Sequence, residues 1–405
     1  DQSAVCLFRP RLRGRCLGAL RSRDMSGARI IPNPDLTVGA DNKQRWNQPA
    51  HRRHGFHNAH HLFRRTLMVR SQNVLMLEPS KEGLHDQPAG LQDLLDHPAF
   101  SAICCIQGNR IVMEAAADDF TTTTPHSIQS VSKLHIHLIV GQLLEQGLIS
   151  CEAKVADYLP DIGTGYAQAT VQSLLDMAVS NDFSEDYSDP HADCYTEEIA
   201  LGWRLPAPDL AETTLVDFTN AITGFTPTDR CDHADYKSAN TDVLTRIVAA
   251  VSPKPLAQLI EDIVDAAGYE GAFHISLSPD GFPAFSGGGC LSVRDLARFG
   301  LLFARAGSDI SGKPFANAAF IAHSLSREAP KLTPPKDWLR YSNHLMTDGR
   351  FVGHAGYGGQ FLMVDTLSGT CCAFLSVLEN EAGYDDAYMG LVAQTLRGLC
   401  QIKLA

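Results

Sequence analysis

Predicted β-strands stand at both ends of the main part of this chain, with predicted helices between them. At the start, residues 102–107 and 110–115 read as two strands joined by the turn signal Gly108-Asn109, which indicates a hairpin. Three more strands are predicted near the end, at 340–347, 361–365 and 371–378. A sheet built from both ends of a sequence must enclose what lies between them. We therefore predict an α+β fold, an antiparallel sheet flanked by helices, with a mainly helical lobe inserted at about 151–290.

The first helix of this arrangement is expected to be buried. From Ser127 to about Gly147 the apolar residues recur at helical spacing, and the pattern predicts a helix that begins close to Ser130. Further helices are predicted at 171–177, 210–222, 240–251, 291–306 and 387–400. The middle of the chain carries loops rich in Asp, Pro and Gly between its helices, so this region should form the inserted lobe.

The charge of the chain limits its partners. The 405 residues are 44% hydrophobic and 20% charged, the composition of a globular protein, and the formal net charge is −12. Nucleic acids and anionic membranes attract basic surfaces, so neither is predicted as a partner. A small-molecule substrate is favoured instead.

The N-terminal region differs in composition from the rest of the chain. Residues 1–70 carry about 14 basic against about 4 acidic side chains. Residues 1–24 precede the first methionine, Met25, and lack an apolar run of signal-peptide length. We interpret them as a dispensable extension, with an organellar transit peptide as the alternative. Residues 25–84 are then an N-terminal segment, and 85–405 form the main domain.

Several classes of protein are disfavoured by the sequence. It has no run of about 18 or more apolar residues, so no membrane span is predicted. The eleven cysteines are scattered without CxxC pairs, which favours buried free thiols in a reducing, cytoplasmic setting. Histidines 51, 54, 57, 60 and 61 are mixed with arginines, whose charge opposes cation binding. We expect a polar surface segment there, with no metal and no cofactor.

The strongest chemical signal is the S-x-x-K motif formed by Ser130 and Lys133. Residues three apart lie about 60° apart around a helix, so hydroxyl and amine share one face. The positive end of the helix dipole favours a neutral amine, and Lys133 can then accept the proton of a serine nucleophile. The motif also occurs by chance in ordinary helix starts. Here the following residues are apolar, and a buried, unpaired lysine would be costly without a role.

Two further segments carry groups that suit the same chemistry. Tyr236 stands just before a helix capped by Ser238 or Asn240, and a phenol beside a cation can shuttle a proton. The run 353–360, Gly-His-Ala-Gly-Tyr-Gly-Gly-Gln, leads into an apolar strand, and its glycines let a ligand approach backbone N–H groups. Taken alone, each has an ordinary structural explanation, a core tyrosine and a glycine-rich turn.

In this order and at these separations, the three segments resemble the serine β-lactamase and penicillin-binding-protein superfamily, on its class C and esterase branch. The likeness covers about residue 85 to the C-terminus. Within the superfamily, the chain is similar to the 6-aminohexanoate-dimer (nylon-oligomer) hydrolases. The matching stretches are Ser130-Val-Ser-Lys133, 184–190, Gly202-Trp203-Arg204 and 238–244.

The resemblance implies a β-lactamase-like fold and a role for each site residue. Ser130 would be acylated, with Lys133 and Tyr236 as general base and acid, and Tyr187 would cover the substrate. The backbone N–H groups of Ser130 and Tyr357 would form the oxyanion hole. The remaining residues expected near the oxyanion hole and the substrate are Gly356, His354, Ser238 and Trp203.

Two positions depart from the lactamase pattern and shift the expected substrate. His354 stands where lactamases usually carry the lysine of Lys-Thr-Gly, and it is largely neutral at pH 7. Ser238 stands where an asparagine is usual. We therefore expect a carboxylesterase or small-amide hydrolase, ahead of a transesterase, a β-lactamase or a D-Ala peptidase. The alternative outside enzymes is a binding or scaffold protein on the same fold. His137 lies on the face of Ser130, but an interior, hydrogen-bonded histidine is favoured there.

Overall fold

A central sheet collects strands from both ends of the sequence, as predicted. The computed structural model describes residues 45–79, 87–207, 209–227 and 232–402. In these residues the strands are β1 Thr66–Arg70, β2 Glu78–Pro79, β3 Phe100–Gln107, β4 Arg110–Ala116, β5 His126–Ser127, β6 Ala272–Ser276, β7 Gly289–Leu291, β8 Arg340–Ser342, β9 Leu345–Thr347, β10 Phe351–Gly356, β11 Gln360–Asp365 and β12 Thr370–Ser376.

The helices lie mostly between these two groups of strands. They are α1 Pro49–Leu62, α2 Leu91–Leu95, α3 Leu134–Glu145, α4 Val155–Tyr158, α5 Val171–Leu175, α6 Cys194–Ala200, α7 Leu215–Ala221, α8 Ser238–Val251, α9 Leu256–Ala267, α10 Val293–Ala304, α11 Ala318–Ser326 and α12 Asp386–Cys400. A short 3-10 helix, Gln129–Lys133, leads directly into α3. Helices α4 to α9 lie within 151–290, the range predicted to form a mainly helical lobe, and strands β6 and β7 also begin within that range.

The central sheet has eight strands in the order β2-β4-β3-β12-β11-β10-β9-β8. The predicted hairpin of β3 and β4 is confirmed, and β3 also pairs antiparallel with β12 from the far end of the chain. Only the two-residue β2 is parallel to its neighbour among the described strands. Successive side chains of a strand point to opposite faces, so each face needs its own cover. Helix α10 packs on one face, and α2 and α12 pack on the other.

A second, four-stranded sheet was not predicted. Its order is β1-β6-β7-β5, and all its pairings are antiparallel. The strands are short and come from distant parts of the sequence, so no local hairpin signal announces them. The predicted helix 291–306 is correspondingly too long: Leu291 belongs to β7, and Ser292 caps α10 by accepting a hydrogen bond from the Asp295 N–H.

One more helix boundary was wrong. The helix predicted at 210–222 begins only at Leu215, because Thr214 caps α7 by accepting a hydrogen bond from the Asp217 N–H. The predicted strand 340–347 is a hairpin of β8 and β9, with Asn343 and His344 both at positive φ in the turn.

The described part of the N-terminal segment belongs to the same compact unit as the two sheets, residues 33–405. Helix α1 packs against β5 and β6, and β1 pairs with β6. The expectation of a polar surface segment at the histidines is wrong for α1, because Arg52, Arg53 and His57 are buried. Their polar atoms are satisfied internally: Arg53 pairs with Asp119, and His57 shares a hydrogen bond with the Ser101 hydroxyl. The predicted extension 1–24 and the predicted boundary at 84/85 lie outside the described residues.

The cysteines depart in one place from the expected free thiols. Cys105 and Cys372 are direct partners on β3 and β12, and their sulfur atoms form a disulfide. Within the described residues six cysteines are free, and all of these except Cys151 are buried. No single described helix is long and apolar enough to cross a membrane; α8 and α9 meet that test only as a pair, bent by 103°.

Candidate active site

Ser130 lies in the 3-10 helix that precedes α3, at the wall of a large cavity. Gln129, just before it, has a φ of 47°, an uncommon value for a residue with a side chain. Lys133 is fully buried, and its Nζ lies 3.1 Å from Ser130 Oγ. The same amine donates to the carbonyl of Ser286 at 2.5 Å and to the hydroxyl of Ser238 at 2.9 Å. The predicted hydroxyl–amine pair is therefore formed, and two further acceptors hold the amine in place.

Tyr236 reaches the same point from the loop before α8. Lys133 Nζ lies 5.0 Å from the centroid of the tyrosine ring. The Tyr236 hydroxyl is buried without a hydrogen bond of good geometry, although Lys133 and Ser130 are near enough to influence its pKa. Burial raises that pKa, and the charge of Lys133 offsets the rise only in part. Tyr236 is therefore a neutral phenol at pH 7.

A carboxylate that the sequence did not single out completes this arrangement. Ser238 donates its hydroxyl to Glu185 Oε1 at 2.7 Å and its backbone N–H to Oε2 at 2.5 Å. A continuous line of hydrogen bonds therefore runs from Ser130 through Lys133 and Ser238 to Glu185. Sequence reasoning gave Glu185 no role, and its only signal was a place two residues before Tyr187.

The glycine-rich segment packs directly against the nucleophile's helix. A Cβ on Gly356, at the end of β10, would lie 2.9 Å from the Ile128 carbonyl oxygen and 3.1 Å from Gln129 Cβ. Only glycine allows so close an approach. Gly356 and Tyr357 consequently line the cavity beside Ser130.

His354 and Trp203 are not among the residues that line the cavity. His354 is buried, and its Nδ1 lies 2.6 Å from the Ala355 carbonyl oxygen. A carbonyl can only accept, so Nδ1 carries the hydrogen. Nε2 then accepts a hydrogen bond from the Tyr341 hydroxyl at 3.0 Å. Burial, aided by the charge of Lys133, lowers the pKa of His354 to about 3. Trp203 packs on Gly287, next to Ser286, the residue whose carbonyl holds Lys133.

Tyr187 does line the cavity, opposite the glycine-rich segment. Its ring centroid lies 5.2 Å from that of Tyr357, and its hydroxyl donates to Glu185 Oε1 at 3.3 Å. The two tyrosines flank the space next to Ser130. His135 and His137, in contrast, are core residues that bind the carbonyls of Ser132 and Asn343.

Two buried acids lie behind Lys133, and sequence reasoning missed both. Glu197 on α6 and Asp242 on α8 are buried, and three of their four carboxyl oxygens have no hydrogen-bond partner of good geometry. Burial raises the pKa of Glu197, and the nearby charge of Asp242 raises it further. Burial also raises the pKa of Asp242, to about 6. Two like charges this close cannot both persist, so one of the two acids is protonated at neutral pH.

Helix α1 supports the other side of the cavity. Arg52 is buried and donates from Nη1 to the carbonyls of Leu378 and Asn380, each at 2.7 Å. Its guanidinium stacks on the ring of Tyr357 at 5.1 Å from the centroid. The charged N-terminal segment thus reaches the site, which its position in the sequence did not indicate.

The charge on Lys133 is set by opposing effects. Burial lowers the pKa of Lys133, but its interactions with Tyr236 and Glu185 outweigh this, and the pKa lies above the ordinary lysine value. At neutral pH the resting site therefore holds an ammonium beside a neutral phenol. One proton must leave this pair before either group can act as a base.

Comparisons with known proteins give a consistent result. The family model described as β-lactamase matches residues 99–395. A 6-aminohexanoate-dimer hydrolase from Paenarthrobacter ureafaciens is 27% identical over 285 residues, which is 69% of this chain and 71% of that protein.

Two solved structures share the fold at low sequence identity. One, from Bacillus anthracis, is provisionally described as a 6-aminohexanoate-dimer hydrolase; it superposes with a TM-score of 0.77 at 18% identity over 88% of this chain and 96% of that one. A family VIII carboxylesterase has a TM-score of 0.54 at 16% identity, over 78% of this chain and 99% of that one.

Proposed function

The chain belongs to the β-lactamase family, and we propose that it is a serine hydrolase that cleaves a carboxylic ester or a small amide through an acyl-enzyme on Ser130. One observation carries the proposal: the hydrogen-bonded line from Ser130 through Lys133 and Ser238 to Glu185, at the wall of a cavity of about 630 Å³. It joins a nucleophile, a base and an orienting carboxylate, which is the arrangement that covalent catalysis requires.

In the proposed mechanism, the pair of Lys133 and Tyr236 first loses one proton to solvent. Ser130 Oγ then attacks the carbonyl carbon of the substrate and passes its proton to this pair. The negative oxygen of the tetrahedral intermediate accepts hydrogen bonds from the backbone N–H groups of Ser130 and Tyr357. The proton then passes to the leaving oxygen or nitrogen as its bond to carbon breaks. Water attacks the remaining ester by the same route and releases the acid. No metal or organic cofactor enters these steps.

The residues around the hydrogen-bonded line from Ser130 to Glu185 favour esters and simple amides over β-lactams as substrates. A neutral, buried His354 replaces the lysine that lactamases use. That position therefore provides no fixed cation to bind a substrate carboxylate. The names of the similar proteins point the same way: one is an amide hydrolase and another a carboxylesterase. We rank transesterase activity second, and β-lactamase or D-Ala peptidase activity third.

The state of Lys133 leads to a prediction for pH. At rest Lys133 is an ammonium and Tyr236 is a neutral phenol, so neither can accept a proton. The pair contains a base only after one of the two groups has lost a proton. We therefore expect kcat/KM for ester acylation to rise with pH through the neutral range, by close to tenfold per unit well below the pKa of the pair. Stopped-flow measurement of acylation from pH 6 to 10 gives the profile. A rate independent of pH would contradict a protonated resting site.

The function itself is tested with intact-mass analysis. The protein is exposed to short esters, linear amides, β-lactams and a fluorophosphonate, and the modified residue is located by peptide mapping. We expect a stoichiometric adduct on Ser130 with the fluorophosphonate, and turnover of esters or amides ahead of β-lactams. If Ser130 stays unlabelled and no substrate turns over, the chain is a binding or scaffold protein on this fold. A cytoplasmic location remains part of the proposal; the free cysteines of the described residues favour it, whereas the Cys105–Cys372 disulfide is more usual in an oxidising compartment.

A further inference from the structure

The cavity extends well beyond the catalytic groups as an apolar limb. We use this name for the part lined by Leu332, Pro335, Trp338, Leu339, Met346, Phe361, Met389, Gly390 and Ala393. These residues come from the segment 332–339, from strands β9 and β11, and from helix α12. The limb opens from the same space as Ser130, so a substrate held at the nucleophile can extend into it.

The charged groups near the limb are already paired. Lys336 donates to the Tyr384 hydroxyl at 2.9 Å, and Tyr384 in turn donates to Asp386 at 2.8 Å. The lysine and the aspartate also lie 3.7 Å apart. A charged end group on the ligand would have to compete with these contacts, whereas a hydrocarbon chain would not. Trp338 is 41% exposed and keeps apolar surface open to a ligand.

Gly390 is unusual because neither its backbone nor its neighbours require a glycine. It lies inside helix α12, it is not at positive φ, and an added Cβ would meet no atom within 4 Å. A glycine inside a helix costs about 1 kcal/mol relative to alanine. The position lines the cavity, and what the missing side chain provides there is open space.

We propose that the apolar limb binds an unbranched hydrocarbon chain of the substrate, and that Gly390 keeps the limb open for it. The inference rests on the proposed function and specifies its substrate class. Burial of one methylene contributes about 0.8 kcal/mol, and 1.36 kcal/mol corresponds to a tenfold change in rate. Each methylene that enters the limb should therefore raise kcat/KM by about fourfold, until the limb is filled.

The test compares two series of esters on the full chain. One series lengthens the acyl group from acetate to decanoate with p-nitrophenol as the alcohol, and the other lengthens the alcohol of an acetate ester. We expect a rise of about fourfold per methylene in one of the two series, which identifies the side of the scissile bond that faces the limb. A flat response in both series would overturn the proposal.

Variants of helix α12 locate the effect. Gly390→Leu should lower kcat/KM for the longest preferred ester by tenfold or more and change that for p-nitrophenyl acetate by less than twofold, whereas Gly390→Ala should have a smaller effect of the same kind. Ala387→Leu is the matched control, because Ala387 lies on the same helix, is exposed and does not line the cavity. Thermal melting checks that each variant folds. An equal loss for short and long esters in Gly390→Leu would overturn the role of Gly390.

Labelling rates separate this proposal from the function on which it rests. Fluorophosphonates with a short and with a long alkyl chain are reacted with the wild-type protein and with Gly390→Leu. Faster labelling of Ser130 by the long probe, lost in Gly390→Leu, supports the limb. Equal labelling by both probes overturns the limb and leaves the serine hydrolase intact, whereas no labelling by either overturns both.

Discussion

Ser130→Ala is expected to lower kcat by roughly 10⁴-fold or more and to abolish fluorophosphonate labelling, because no other described hydroxyl at the cavity is hydrogen-bonded to Lys133 and positioned to carry the acyl group. The fold should be unaffected, since the substitution removes a single oxygen atom at the cavity wall. Ester turnover and intact-mass labelling measure the two effects, and circular dichroism checks the fold.

Ser184→Ala is the matched control for this substitution. Ser184 lies next to Glu185 in the loop at the site but does not line the cavity. Its loss should leave turnover within about threefold of the wild-type value, because surface substitutions away from such contacts have small effects. Residual activity of Ser130→Ala within tenfold of wild type would remove Ser130 from the proposed role.

Lys133→Ala is expected to lower the acylation rate by roughly 10² to 10⁴, the range that general acid–base catalysis supplies. The amine joins Ser130 to Ser238, whereas Lys336, a lysine that does line the cavity, is bonded to the Tyr384 hydroxyl. The remaining activity should also lose the rise with pH described above, because the pair that titrates is gone. Burst-phase kinetics across the pH range measure both effects.

A second buried lysine provides the control. Lys237 is adjacent to the site and is paired with Asp235, but it does not line the cavity. We expect Lys237→Ala to reduce stability more than acylation. Lys133→Met is made in parallel, because it fills most of the space that alanine leaves empty and separates the loss of the amine from the loss of packing. An unchanged burst phase in Lys133→Met would make Lys133 a structural residue.

Much of the architecture follows from local pattern. The Gly108-Asn109 turn between two apolar runs defines a hairpin, and the helical spacing after Ser130 defines the buried helix that carries the nucleophile. Errors occurred where a cap or a long-range pairing decided the boundary. Thr214 caps α7 and so places its start at Leu215, and Leu291 joins a strand because it pairs with His126 of β5. His126 is far from Leu291 in the chain and is not visible in a local window of sequence.

The site residues also divide into those that local spacing predicts and those that it does not. Ser130 and Lys133 were identifiable because a separation of three residues places two side chains on one face of a helix, whatever surrounds them. The glycine-rich segment was singled out from its own residues, and the role of Tyr236 was assigned by resemblance. The structure brings Tyr236, Gly356 and Tyr357 to the cavity that Ser130 lines. His354 and Trp203 were expected near the substrate, but neither lines the cavity.

The sequence by itself determined the two groups of central-sheet strands, the buried helix after Ser130 and the hydroxyl–amine pair, because these depend on spacings within a few residues. Only the tertiary structure decided which carboxylate meets Ser238, which arginine stacks on Tyr357 and where the apolar limb runs. Glu185 is 53 residues from Ser238 and Arg52 is 326 residues from Leu378. Contacts across such separations arise when separate elements pack together, and packing follows from the shape and burial of whole surfaces.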